Sequence, residues 1–134
     1  MLHITKVSGP LVVAKLDPET VERPKVLETV LVGKNELLGE IITIDDDTVQ
    51  IQVYEETGGI TIGEPVILNN ELLSVELGPG LLGTIFDGIQ RPLKAIDEVS
   101  PVFINPGIRL PSLDRERVWE FIPTVQEGET VWPG

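Results

Sequence analysis

Glu55-Glu56-Thr57-Gly58-Gly59 puts two carboxylates beside two glycines, between apolar stretches. Carboxylate oxygens on a glycine-rich loop can bind a cation, and a carboxylate pair can share acid and base work. Glu55 and Glu56 are neighbours on an extended run, so they point to opposite faces and do not converge on one ion or one proton. Asp45, Asp46 and Asp47 raise the same question. A calcium loop spreads its donors over about twelve residues and closes with a bidentate Glu. Here an alternating pattern restarts at Thr48, so the triplet reads as a hairpin turn. His3 is the sole histidine and sits in the first strand pattern, where it reads as a rim or interface residue rather than a general base. With one histidine and no cysteine, a transition-metal site, a disulfide and a thiolate nucleophile are all disfavoured.

Phosphate-binding patterns do not hold either. Gly78-Pro79-Gly80-Leu81-Leu82-Gly83 matches G-x-G-x-x-G, and Asp97 follows at roughly the spacing of about twenty residues expected of a ribose-binding acid. No parallel strand follows to complete a βαβ unit, and Pro79 removes an N–H that would face the pyrophosphate. The stretch reads as a strand-to-helix corner. Gly33-Lys34 is followed by Asn35 and lacks the upstream glycine of a phosphate loop.

The elements that must position these residues are mainly β. Short β-branched apolar runs recur at 2–7, 11–15, 26–32, 37–44, 49–54, 60–62, 66–68 and 72–77, separated by Gly, Pro, Asn and Asp. Closing about six such strands into a small barrel leaves no exposed edge. Tyr54 is the only aromatic residue before Phe86, so the core is Val, Leu and Ile. Pro79 at a helix start, Leu81, Leu82, Ile85 and Phe86 at helical spacing, and Gly88 as a stop predict one short helix. Asp87 and Arg91, four residues apart, are expected to interact or to cap that helix. Four prolines between residues 92 and 111 predict an irregular connector, and residues 117–134 read as a strand, a turn at Glu127 and Gly128, and a second strand.

A net charge of −12 disfavours nucleic acid and anionic lipid as partners. Eleven acidic residues and no Lys or Arg lie between Asn35 and Gln90, either a solvated surface or a face for a basic partner. No apolar run reaches the ~20 residues needed to span a bilayer as a helix.

The runs "ITKVSGPLVVA", "LLGEII", "IQVYEETGGITIGEPV" and "LSVELGPGLLGTIFDGIQRPL" closely resemble the N-terminal region of the catalytic A (alpha) subunit of V/A-type rotary ATPases, with a looser likeness through "NPGIRLPSLDRERVWEFIPTVQEGETV". The resemblance implies an all-β piece: a six-stranded closed crown barrel over 1–72, a strand–helix connector over 73–95 toward a nucleotide-binding domain, and the truncated start of a β-rich insertion over 96–134. Such a piece would serve ring assembly rather than catalysis. The family's phosphate loop, catalytic Glu and adenine pocket would lie downstream, so no catalytic, cofactor-binding or metal residue is expected here, and ATP and Mg belong to the parent subunit. Implied partners are the A and B subunits of the headpiece, in the cytoplasm and peripheral to the membrane, without direct membrane contact. Structural or interface candidates are Glu55, Glu56, Gly58 and Gly59 on a crown hairpin, and Asp87 with Arg91. The segment from Ser112 onward is expected to be loosely docked or self-associated, leaving Trp119, Phe121 and Trp132 without part of their core. The alternative is a free-standing acidic β-barrel that binds a small ligand or a basic protein.

Overall fold

A computed structural model describes residues 2–21 and 23–132. Six strands form a closed antiparallel barrel: β1 (Leu2–Ser8), β2 (Leu11–Leu16), β3 (Glu28–Val32), β4 (Leu37–Asp45), β5 (Thr48–Val53) and β6 (Pro65–Leu72). Their order around the ring is β1-β2-β5-β4-β3-β6. Period-two patterning decides which side chains go in. Leu2 and Ile4 of β1, Val12, Ala14 and Leu16 of β2, and Val49, Ile51 and Val53 of β5 are buried, while their neighbours point outward. With Val30, Val32, Leu37, Ile41 and Val66 they make one aliphatic core. Burying each Val, Leu or Ile contributes roughly 1.5–3 kcal/mol. Gly39 is required by this packing, because a Cβ there would lie 2.8 Å from Ile51 Cγ2.

The connections are of two kinds. Asp46 and Asp47 turn β4 into β5, with Asp46 at φ 51°. Residues 17–27 and 54–64 each join strands that are opposite one another in the ring, so they cross the ends of the barrel. The segment containing Glu55, Glu56, Gly58 and Gly59 is therefore not a hairpin: β5 pairs with β2 and β4, and β6 with β1 and β3. The alternating pattern on either side of it is real, but local pattern does not reveal which strands pair. The runs at 66–68 and 72–77 are likewise not two strands. β6 continues through Asn69 and Asn70 by a bulge, with Asn70 at φ 58°, and ends at Leu72. Residues 60–62 form no strand.

The short helix is not where the spacing predicts it. Residues 79–81 make a single 3-10 turn, and the α-helix, α1, runs over Leu93–Val99. Gly80, Gly83 and Gly88 weaken helix over 79–88, and Gly83 takes φ 79°. Asp87 also turns the chain back: its N–H donates to Arg91 O (3.1 Å), Leu93 N–H donates to Ile85 O (3.0 Å), and Phe86 bridges to Pro92. Pro92 immediately precedes α1, where a missing N–H costs nothing, and Ile96 gives α1 a buried anchor. Proline density thus misreads a segment that contains the helix. The strands expected beyond residue 116 are absent among the described residues. The turn at Glu127 and Gly128 is present, and Pro133 and Gly134 lie outside the described residues.

Candidate functional site

The residues singled out by type and spacing separate into two groups. Glu56, Gly58 and Gly59 are exposed on the crossing segment. Glu55, Asp87 and Arg91 come together where that segment meets the chain after the barrel, and their side chains are 7%, 19% and 14% exposed. Arg91 Nη1 lies 2.7 Å from Glu55 Oε2, and Arg91 Nε lies 2.7 Å from Asp87 Oδ2. Asp87 Oδ1 accepts from Arg91 N–H (2.8 Å) and Ile89 N–H (3.1 Å). Glu55 Oε1 accepts from Leu38 N–H (3.2 Å) and its Oε2 from Gly107 N–H (3.0 Å). One guanidinium thus bridges two carboxylates whose remaining lone pairs face backbone donors. Arg91 holds a tight turn and ties it to the barrel, with no helix end to cap.

The electrostatics follow from this arrangement. Burial alone would raise the Asp87 pKa, but the Arg91 amide and guanidinium and the Ile89 amide outweigh it and hold the carboxyl below its ordinary value. Burial opposes the charge on Arg91 as well, and its bonds to Asp87 and Glu55 overcome that and raise its pKa. A cleft of about 240 Å³ opens beside the cluster, with Leu38, Gln90, Ile108 and Leu110 in its wall.

Glu64 is a carboxylate that the pattern does not single out. Its Oε1 accepts from Thr61 Oγ1 (2.7 Å) and Thr61 N–H (3.3 Å), and its Oε2 from Lys34 N–H (3.0 Å). It clamps the crossing segment to the turn after β3, and the Thr61 hydroxyl and the Lys34 amide lower its pKa. The available signal was Glu64-Pro65 at a strand start behind a glycine. Gly107 also passes unnoticed, although Pro106-Gly107 marks a turn.

Several carboxylates of the acidic band have partners within the chain. Glu40 accepts from the Tyr54 hydroxyl (3.0 Å), Asp47 pairs with Lys15 (3.0 Å), Glu76 pairs with Arg115, and Glu55, Glu64 and Asp87 are used as described. His3 Nε2 lies 3.1 Å from Asp17 Oδ2, on a half-exposed rim. Among the described residues no three His, Asp or Glu side chains come together to hold a metal ion, and no helix is long and apolar enough to cross a membrane.

Barrel residues 4–68 match the ATP synthase alpha/beta family, beta-barrel domain. They belong to that family. The likeness of this ATP synthase barrel to its relatives runs on past the barrel. The V-type ATP synthase alpha chain of Thermoanaerobacter sp. (strain X514) is 54% identical over 131 residues, 98% of this chain and 22% of the relative. The V-type ATP synthase alpha chain of Clostridium botulinum (strain Langeland / NCTC 10281 / Type F) is 50% identical over 132 residues, 98% of this chain and 22% of the relative. An A-type ATP synthase relative from Nanoarchaeum equitans (strain Kin4-M) is 47% identical over 135 residues, 100% of this chain and 23% of its own length. The chain therefore spans under a quarter of the curated relatives it matches. Among solved structures, the assembled ATPase EscN of the enteropathogenic E. coli type III secretion system superposes with a TM-score of 0.60 at 25% identity, over 69% of this chain and 21% of EscN. Identity sustained across the whole chain does not favour a free-standing acidic binding module.

Proposed function

We propose that this ATP synthase barrel is an assembly element of a rotary ATPase headpiece, and that the chain takes no part in ATP chemistry itself. The observation that carries the reading is 54% identity to a V-type ATP synthase alpha chain over 98% of the chain, combined with a barrel whose interior is wholly aliphatic. A closed aliphatic barrel offers stiffness and a shaped outer surface but no reacting group. Residues 1–72 form the crown barrel, 73–95 lead toward a nucleotide-binding domain, and 96–134 open an insertion characteristic of the catalytic alpha chain. The helix α1 crosses the division at 95. The partners are the A and B subunits of the headpiece, and the setting is cytoplasmic and peripheral to the membrane. ATP and Mg belong to the parent protein.

Native mass spectrometry with the partner B subunit tests assembly. Complexes of defined stoichiometry are expected, and their absence at tens of micromolar, roughly the upper range of a specific weak contact, overturns the reading. Calorimetric titration with Mg-ATP tests the second half. No saturable heat is expected, and a micromolar isotherm overturns it.

A further inference from the structure

β6 ends beside the start of β3, at the end of the barrel that carries the Asp46 and Asp47 turn. The chain then returns to the opposite end, where residues 105–110 lie across the turn between β3 and β4. This segment has no regular structure and no buried residue. Polar contacts hold it down. Gly107 N–H donates to Glu55 Oε2 (3.0 Å), the Ile108 carbonyl accepts from Arg91 Nη1 (3.5 Å), and the Glu36 carbonyl accepts from Arg109 Nη2 (3.2 Å). Gly107 has φ 76° and sits so close to the Asn35 carbonyl that a Cβ would overlap its oxygen.

We infer that residues 105–110 are a strap, latched over the β3–β4 end of the barrel by Glu55 and Arg91, that opens as one unit while the barrel stays closed. Three features carry this. The strap adds nothing to the aliphatic core, so its release removes no core contact. Two of its three bonds, those of Gly107 and Ile108, converge on the Glu55–Arg91 pair, so those two fail together. Gly107 fits against backbone rather than against a side chain that could move aside. Shut, the strap covers the Asn35 and Glu36 carbonyls and forms one wall of the cleft beside Arg91. Open, it bares both carbonyls and removes that wall. The inference does not depend on the assembly reading above, because it concerns contacts within one chain.

Amide hydrogen exchange on the full chain tests it with Glu55→Ala, Gly107→Ala and the exposed control Glu56→Ala. Loss of a charge-assisted hydrogen bond corresponds to roughly tenfold or more in an opening equilibrium. Glu55→Ala and Gly107→Ala should each accelerate exchange across 105–110 by at least that factor, leave Val30, Ile41 and Ile51 unchanged, and add nothing to one another when combined. Glu56→Ala should leave the strap unchanged. Equal acceleration of barrel and strap, an unaltered strap in either variant, or additive effects in the double variant would each overturn the latch.

Discussion

Gly33 holds φ 73° at the end of β3, and a Cβ there would meet Glu64 Oε2 at 2.6 Å. Gly33→Ala should therefore combine left-handed strain with displacement of the Glu64 carboxylate, costing about 1–3 kcal/mol in urea denaturation. An unchanged midpoint would refute the clamp. Glu64 also sets a pH dependence. Its folded pKa lies below the ordinary 4.5, so the folded state binds fewer protons than the unfolded one. Its contribution is present above that value and lost as pH falls through the folded pKa. Asp87 has the same sign, starting from 3.8. Glu64→Gln should flatten the acid limb of stability measured between pH 5 and 3, a window placed about the ordinary carboxylate values. An acid limb as steep as that of the parent protein would exclude Glu64 as a contributor. At this scale the sequence was legible for Asp87 and Arg91, because a fixed four-residue spacing brings them close in any compact turn. It was not legible for Glu55, whose partners lie 17, 36 and 52 residues away. Long-range neighbours are set by topology, which local spacing does not encode.

Among elements, β1, β2, β4 and β5 follow from alternation because each has one face in the core, whereas β6, with Val66 its one buried residue and a bulge at Asn69 and Asn70, does not. β3 is an exception of degree: all five of its residues are buried, with Thr29 Oγ1 donating to the Glu71 carbonyl (3.0 Å) and Glu28 Oε2 accepting from Lys25 N–H (3.0 Å). The helix predicted over 79–88 does not form, for a physical reason. Leu81, Leu82, Ile85 and Phe86 have helical spacing, but Leu82 and Ile85 are 85% and 73% exposed and bring no packing to offset three glycines. α1 needs only Ile96 and a proline at its start. Leu82→Ser and Ile85→Ser should accordingly change stability by less than about 0.5 kcal/mol, whereas Ile41→Ala in the core should cost about 2–5 kcal/mol. Urea midpoints compare all three. A loss above 1 kcal/mol (roughly twice the usual surface effect) at Leu82 or Ile85 would mean that a packed helix forms there after all.

Across the whole molecule, the aromatic side chains are kept apart from the aliphatic barrel core. The barrel core contains no aromatic side chain, while Phe103, Phe121 and Trp132 are 77%, 86% and 85% exposed. Trp119 is 41% exposed and lies under Arg117, 4.1 Å from guanidinium carbon to ring centroid. Tryptophan emission should be red-shifted in the dilute native protein and should barely move as the barrel unfolds, while far-ultraviolet circular dichroism reports a cooperative transition. A blue-shifted native emission, or a fluorescence transition coincident with that of the barrel, would contradict this separation. The sequence announced the segregation plainly, since Tyr54 is the only aromatic residue before Phe86.

The barrel is sealed by a short seam. β1 and β6 pair at Leu2 with Val66 and His3 with Pro65, continued by Ile4 N–H to the Glu64 carbonyl (2.9 Å) and Gly63 N–H to the Ile4 carbonyl (2.7 Å), whereas β4 and β5 align at six positions across a two-residue turn. Closing a short loop costs little entropy and bringing residue 2 to residue 66 costs more, so local pairs form first. The β3–β4–β5 meander is the natural nucleus, and the seam forms after the rate-limiting step. Val66→Ala should therefore speed unfolding with little effect on the folding rate, and Ile51→Ala should slow folding. Stopped-flow chevrons separate the two, and a Val66→Ala variant that slows folding in proportion to its lost stability would place the seam in the nucleus instead. A barrel built this way is expected to close last and open first along this line, so the lifetime of its native state should follow how fast the contacts of residues 2–4 with residues 63–66 let go.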